Sequence, residues 1–103
     1  MKKYTLYIGL NDRITKIQEI PTPRAKDIVY DELFSYGIRG FNFRTARGVW
    51  QYEDLSVSEE NTFVIEIMTN ETALPVGLIR ALKEVLNQES IGVTTETVDC
   101  QFL

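Results

Sequence analysis

The alternation of two hydrophobic periods along the chain limits its fold more than any other sequence feature. Residues 4–10 carry apolar side chains at every second position, which predicts a β-strand. Residues 23–36 carry them at helical spacing. Thr22 is the expected N-cap of this helix, Pro23 suits its first position, and Gly37 suits its end. The chain therefore begins with a strand followed by a helix.

The rest of the chain repeats these patterns. Strand patterns cover residues 40–52, 57–68 and 91–98, and a helical stripe follows Pro75. The order β-α-β-β-α-β predicts one α+β domain, residues 1–103, with a ferredoxin-like sandwich fold: a four-stranded antiparallel sheet in the order 4-1-3-2 and two helices on one face. Apolar residues on both faces of the first and third strands predict that these are central, and the Thr-rich last strand is predicted to be an exposed edge.

The long hairpin formed by the second and third strands contains one irregularity. Its large aromatic residues stand at odd positions up to Phe43 and at even positions from Trp50 onward, so the parity changes across residues 46–48. A β-bulge at Gly48 would produce this change, and a tight turn between two short strands is the alternative. We favour the bulge because residues 53–56 are better suited to the chain reversal.

The composition narrows the chemistry. The chain has no histidine, and therefore lacks the commonest general base and metal ligand. Its one cysteine, Cys100, rules out an internal disulfide and has no imidazole to activate it. The spacing of the glycines matches no phosphate-binding loop. We therefore expect no enzymatic activity, no cofactor and no metal.

The charge is unevenly distributed. Residues 1–49 contain nine Lys/Arg and five Asp/Glu, whereas residues 50–103 contain two and ten, for a net charge of −4. We interpret the split as two halves that complement each other within one fold, with an electrostatic partner surface as the alternative. An isoelectric point near 4.8 argues against direct nucleic-acid binding. No apolar run is long enough for a membrane helix or resembles a secretory signal, so a cytoplasmic location without membrane contact is expected.

Two helices on one side would leave the other face of the sheet open. Tyr7, together with Phe41, Trp50 and Tyr52, could form an aromatic surface there, which favours a homodimer or another protein partner over stacked RNA bases. The hairpin contributes the charged interface candidates, which are Arg44, Arg47, Glu53, Asp54, Glu59 and Glu60. Solvated cross-strand Arg–Glu pairs are the simpler interpretation of these charges. Strand alternation predicts that the two adjacent glutamates face opposite sides.

Three segments carry a resemblance to other proteins. They are residues 4–12, residues 40–50 with the sequences Gly-Phe-Asn-Phe and Ala-Arg-Gly-Val-Trp, and residues 59–67. They resemble a family of small uncharacterised proteins of bacterial genomes, phages and conjugative elements, of ferredoxin-like α+β type. The resemblance implies a bacterial mobile-element or phage setting and carries over no active site.

Three functions follow as hypotheses. The leading one is a non-enzymatic protein-interaction module of a mobile element or phage. The alternative is an anti-defence inhibitor, of anti-CRISPR or anti-restriction type, that blocks a nucleic-acid-binding enzyme with its acidic surface. The third is a small-ligand-binding domain or enzyme in which Arg44 or Arg47 holds an anion and a carboxylate acts as base.

Overall fold

A computed structural model describes all residues from Met1 to Leu103. Six elements follow one another along the chain: β1 (Lys2–Gly9), α1 (Thr22–Ser35), β2 (Asn42–Gln51), β3 (Val57–Thr69), α2 (Leu78–Val85) and β4 (Gly92–Thr97). The strands form one antiparallel sheet in the order β2-β3-β1-β4, which is the predicted order read from the opposite edge. The ferredoxin-like α+β fold is confirmed, and the central positions of β1 and β3 are those predicted.

The hydrophobic core lies between one face of the sheet and the two helices. Alternate residues of β1 and β3 point into it, and each helix contributes one apolar stripe, as the sequence periods require. The fully buried side chains include Leu6, Ile8, Val29, Leu33, Phe63, Ile65, Ile67, Leu78 and Leu82. The β4 strand is exposed along its whole length, as predicted for a solvated edge.

The N-terminal end of α1 differs from the prediction, whereas its C-terminal end agrees. The helix begins at Thr22, with Pro21 as its N-cap, and no side chain caps it. The Thr22 hydroxyl instead accepts a hydrogen bond from Gln18 Nε2 at 3.0 Å. The predicted Thr22 cap is therefore wrong, because a residue of the preceding loop uses its oxygen. Gly37 follows the C-cap with a φ of 82°, the left-handed backbone that a glycine terminator supplies.

The β2 strand contains neither a bulge nor a turn at residues 46–48. Its residues pair one-to-one with β3, from Asn42 opposite Glu66 to Gln51 opposite Val57. Both alternatives for these residues are wrong. The large aromatic residues change from odd to even positions because β2 carries them on both of its faces. Phe43 packs towards the core, whereas Trp50 lies further along the strand, on the opposite face.

The hairpin reverses at residues 52–56, where the sequence predicts it. Tyr52 N–H donates to the Ser56 carbonyl and Leu55 N–H donates to the Tyr52 carbonyl, both at 2.9 Å. Val49 and Val57, on the same side of the sheet as the helices, are nevertheless exposed. The end of the hairpin therefore extends beyond the helical layer.

Ion pairs connect the basic and acidic parts of the chain. Three of the four, Lys3–Glu66, Arg44–Glu66 and Arg47–Glu59, join a cation of residues 1–49 to a glutamate of residues 50–103. This agrees with the interpretation that the two halves complement each other. No helix combines the length and the apolar composition needed to cross a membrane.

Candidate ligand-binding face

The strand register decides which residues share the sheet face that the helices leave uncovered. Directly opposed residues of antiparallel strands project to the same side, so the paired positions sort the side chains into two sets. We call the uncovered side the open face. It comprises Lys3, Thr5, Tyr7 and Gly9 of β1, Asn42, Arg44, Ala46, Gly48 and Trp50 of β2, Ser58, Glu60, Thr62, Val64, Glu66 and Met68 of β3, and Gly92, Thr94 and Glu96 of β4.

One end of the open face forms a concave site of about 700 Å³. We call it the open-face basin. Its lining comes from the sheet, from the hairpin, from the β1–α1 loop and from the α2–β4 loop. The lining includes Tyr7, Gly9, Arg13, Lys16, Gly48, Trp50, Tyr52, Glu60, Glu89 and Gly92.

Three glycines give the basin its depth. A Cβ atom at Gly9 would overlap the Glu60 carboxylate, and one at Gly48 would stand 2.8 Å from Thr62 Oγ1. At Gly92 it would stand 3.4 Å from Tyr7 Cβ. These strand positions therefore leave space on the open face that neighbouring side chains occupy or border.

Glu60 lies in the basin with one oxygen held and the other free. Its Oε2 atom accepts a hydrogen bond from the Asn11 backbone N–H at 3.0 Å. The Asn11 side chain also donates to the Glu59 carbonyl at 3.3 Å, which ties the start of the loop to β3. Glu60 Oε1 makes no hydrogen bond within the chain and is not buried. The half-buried carboxylate thus presents one acceptor oxygen to the basin.

The β1–α1 loop is held in place around Asp12. The Asn87 side-chain amide donates to its Oδ2 at 2.6 Å, and the backbone N–H groups of Thr15 and Ile14 donate to its Oδ1. The Asn87 bond, followed by those from Thr15 and Ile14, lowers the pKa of Asp12 below its usual 3.8. Gln88 Nε2 donates to the Asn11 carbonyl at 2.7 Å. The loop is therefore attached to the end of α2.

Four of the predicted site residues meet at the basin. Tyr7, Trp50, Tyr52 and Glu60 all line it. The aromatic side chains are accessible there, with Tyr7 43%, Tyr52 49% and Trp50 67% exposed. Phe41 does not join them, because its ring packs 5.2 Å from that of Tyr30 on the side of the helices. The aromatic surface is formed without Phe41.

The two candidate arginines lie outside the basin. Arg44 binds Glu66 at 3.2 Å, at the other end of the open face, where Lys3 binds the same carboxylate at 2.8 Å. The hydrogen bond from Lys3 lowers the pKa of Glu66 and, reciprocally, raises that of Lys3. Arg47 points to the helix side, where its guanidinium contacts Glu59 at 3.5 Å. Neither arginine is placed to hold an anion in the basin.

The hairpin acids do not form one surface. Glu59 lies on the helix side and Glu60 on the open face, as strand alternation predicts. Glu53 and Asp54 lie in the exposed turn. The Ser56 hydroxyl and N–H donate to the Asp54 carboxylate and lower its pKa. The structure therefore separates the four carboxylates.

Sequence reasoning missed the loop cations and the role of the glycines. Arg13 and Lys16 lie in a polar segment without a strand or helix pattern, so no periodicity indicates that they reach the basin. A weak signal did exist for the glycines. Gly9 and Gly48 both interrupt a strand, and a glycine inside a strand often marks a close approach of neighbouring groups.

Comparison with known proteins identifies structural neighbours but no family. No family model matches the chain, and no curated protein matches it. A phage SAM (S-adenosylmethionine) lyase in complex with S-methyl-5′-thioadenosine superposes with a TM-score of 0.65 at 23% identity, over 92% of this chain and 79% of the lyase. The B. subtilis GlnK–ATP complex gives a TM-score of 0.57 at 18% identity, over 93% and 84%.

A third neighbour is a DUF3240 family protein from Shewanella baltica OS155, with a TM-score of 0.55 at 16% identity over 99% of this chain and 94% of that protein. The phage lyase is an enzyme, and the expectation that this chain has no enzymatic activity stays a prediction. Identities this low show the fold alone. The chain shares its small ferredoxin-like α+β fold with phage SAM lyase, GlnK and the DUF3240 protein.

Proposed function

We propose that the chain binds a small adenosine-containing ligand in the open-face basin. The observation that carries the proposal is the Glu60 carboxylate, which is anchored through Oε2, leaves Oε1 without a hydrogen-bond partner in the chain, and lines a concavity together with accessible aromatic rings. Ligand sites typically combine apolar walls with a few fixed polar groups. The basin is more polar than most such sites, since only four of its 17 lining residues are apolar or aromatic. Its rings and its anchored carboxylate suit a ligand that has both an aromatic ring and polar groups. The proposal keeps the ligand-binding part of the third hypothesis drawn from the sequence, without Arg44 or Arg47, which lie outside the basin.

The chemistry of adenosine suits these groups. A carboxylate oxygen is a good acceptor for ribose hydroxyls, as in dinucleotide sites. Trp50 and Tyr52 offer aromatic faces on which an adenine ring can stack, an interaction of about 1–3 kcal/mol per base. We assign the base to the hairpin wall and the ribose to Glu60.

The structural neighbours support this ligand class. One holds S-methyl-5′-thioadenosine and another holds ATP, and both ligands contain adenosine. Those ligands belong to proteins only 23% and 18% identical to this chain. They suggest which probes to use, whereas the proposal itself rests on the basin.

Trp50 provides a direct readout because it is the only tryptophan of the chain. We expect S-methyl-5′-thioadenosine to change its fluorescence in a saturable way. Glu60→Gln replaces the carboxylate acceptor with an amide and is expected to weaken binding about tenfold, since hydrogen bonds to charged groups contribute roughly 1.5–3 kcal/mol. Titrations of the wild type and the variant measure the two dissociation constants.

Glu59→Gln is the matched control, because it makes the same chemical change at the adjacent residue on the opposite face. Its affinity should equal that of the wild type. An equal loss of affinity in both variants would contradict the proposal. So would a wild-type tryptophan fluorescence that does not change when adenosine ligands are added. Chromatography after incubation with SAM tests the expectation that the chain is not an enzyme. That expectation would be overturned if the wild type formed S-methyl-5′-thioadenosine, and if this activity were lost in Glu60→Gln and kept in Glu59→Gln.

A second candidate function is self-association through the hairpin, as the interaction-module hypothesis predicts. The specific observation is an apolar hairpin end without cover: Val49, Leu55 and Val57 are all more than half exposed, as is Trp50. Accessible apolar residues grouped in this way are typical of interaction sites. We propose a second copy of this chain as the occupant. The contact would lie at the hairpin end, where Val49 and Val57 are on the helix side of the sheet, and not on the open face where the sequence predicts the homodimer.

The double substitution Leu55→Ser and Val57→Ser is expected to shift the chain from dimer to monomer in sedimentation velocity. Both residues lie outside the lining of the basin, so adenosine binding should persist. Val76→Ser, at a residue 97% exposed in the segment before α2, is the matched control and should leave assembly unchanged. A wild-type chain that is monomeric at high concentration would exclude this candidate.

The anti-defence inhibitor remains a proposal of its own. It would act through Glu53 and Asp54 in the hairpin turn, together with whichever of Glu59 and Glu60 its target contacts. Salt-sensitive binding to a nuclease, in competition with nucleic acid, would support it. Nuclease activity unaffected by an excess of the chain would remove it.

A further inference from the structure

We infer that Arg13 and Lys16 form an anion-binding end of the open-face basin, which holds an anionic group of the ligand's 5′ substituent. The inference deepens the proposed function and rests on it for the adenosine part alone. Both residues line the basin from the β1–α1 loop, whose residue Asn11 donates to Glu60.

The two cations are free to bind an external anion. The ion pairs of the chain involve Lys3, Arg44, Arg47 and Arg80, and neither loop cation is among them. The nearest acid in sequence is Asp12, and its two oxygens accept bonds from Asn87 and from backbone N–H groups of the loop. The sequence therefore brings two positive charges to the basin without a committed partner.

Hydrogen bonds fix the loop backbone at both cationic residues. Arg13 N–H donates to the Asn87 carbonyl at 3.1 Å, and Lys16 N–H donates to the Asp12 carbonyl at 2.9 Å. Lys16 has a φ of 64°, a left-handed backbone that lysine rarely adopts. A fixed backbone reduces the conformational entropy that the cations lose on binding a ligand.

The order of groups along the basin determines which part of a ligand meets the cations. Gly48 and Trp50 of β2 lie on one side of Glu60, and the β1–α1 loop that begins at Asn11 lies on the other. If the base occupies the hairpin wall and the ribose contacts Glu60, the 5′ substituent extends towards Arg13 and Lys16. Three carboxylate residues, Asp12, Glu60 and Glu89, also line the basin, so the site carries both signs of charge.

The anionic group of a 5′ substituent has two common forms, a phosphate chain and the carboxylate of an amino acid, which also carries an ammonium group. Guanidinium and ammonium groups bind either one through charge-assisted hydrogen bonds. We therefore assign the shared chemistry, an anion joined to the adenosine 5′ position. ATP and S-adenosylhomocysteine represent the two forms, and S-methyl-5′-thioadenosine is the reference that lacks the anion.

The test compares the double variant Arg13→Gln/Lys16→Gln with the wild type by isothermal titration calorimetry at low ionic strength. We expect ATP or S-adenosylhomocysteine to bind the wild type more tightly than S-methyl-5′-thioadenosine does. The variant should lose about tenfold in affinity for the preferred charged ligand and nothing for S-methyl-5′-thioadenosine. The loss should diminish in high salt.

Arg24→Gln/Arg39→Gln is the control, since it removes the same net charge from two exposed arginines that do not line the basin. Equal affinities of the Arg13/Lys16 variant and the wild type for both charged ligands would overturn the inference. Binding of S-methyl-5′-thioadenosine in that case would leave the proposed function intact.

Inorganic tripolyphosphate tests the anion site on its own, because it carries negative charge and no adenosine. If no adenosine ligand binds, the proposed function fails. Perturbation of the Arg13 and Lys16 backbone amide signals by tripolyphosphate, absent in the double variant, would then still support the anion site. If these amide signals do not shift, the inference of an anion site is contradicted as well.

Discussion

Replacing Gly9 with alanine is expected to weaken adenosine binding about tenfold while changing the free energy of unfolding by less than about 1 kcal/mol. The new Cβ would overlap the Glu60 carboxylate. A carboxylate is the far end of a flexible side chain, so it can move away without displacing the backbone. The movement would break its bond to Asn11 N–H and take the acceptor out of place. Calorimetric titration and urea unfolding measure the two effects separately.

Gly40→Ala is the matched control for this prediction. A Cβ at that position meets no atom within 4 Å, and Gly40 does not require a left-handed backbone. Ligand affinity should therefore stay at the wild-type value. A Gly9→Ala protein that binds as tightly as the wild type would show that the position of Glu60 does not determine affinity.

The largest loss of stability is expected from Phe63→Ala, at about 3–5 kcal/mol in the free energy of unfolding. Phe63 is fully buried in the core, and its ring lies 4.8 Å from that of Phe43. Removing it leaves a cavity between β3, β2 and the helices that the surrounding residues can only partly fill. Guanidinium denaturation followed by circular dichroism measures the change.

Phe102→Ala makes the same deletion at a side chain that is 77% exposed. It should change stability by no more than about 0.5 kcal/mol, as is usual for surface positions. A comparable loss in both proteins would contradict the prediction that burial of Phe63 makes its removal the costlier change.

The two predictions separate the faces of the sheet. Phe63 belongs to the side that the helices cover, where burial of apolar area stabilises the fold. Gly9 and Glu60 belong to the other side, where the missing Cβ leaves space for a carboxylate. The fold and the candidate site can therefore be perturbed independently.

Much of the fold was predictable because it depends on local periodicity. The two-residue pattern of β1 and the helical stripe of α1 each specify an element and the face that it buries. The Thr22 cap was wrong because Gln18, four residues earlier in an irregular loop, donates to the Thr22 hydroxyl, and no periodicity indicates this contact. The bulge at Gly48 was wrong because β2 pairs continuously with β3, whose residues Glu60 and Thr62 border the space at Gly48.

The candidate site was only partly predictable. Tyr7, Trp50, Tyr52 and Glu60 stand out in the sequence as unusual residues on strands or in the hairpin. Their convergence depends on the register of β1, β2 and β3, which no single segment contains. The placement of Arg13 and Lys16 depends on a loop held by residues at the end of α2.

The sequence by itself determined the order of elements, the central strands and the shortage of catalytic residue types, because these follow from short-range pattern and composition. Only the tertiary structure decided that three strand glycines, a carboxylate, aromatic rings and two loop cations border one concavity. The physical reason is that pairing between strands distant in sequence brings these side chains together to form the concave site. Periodicity along one segment contains no information about the distances between segments.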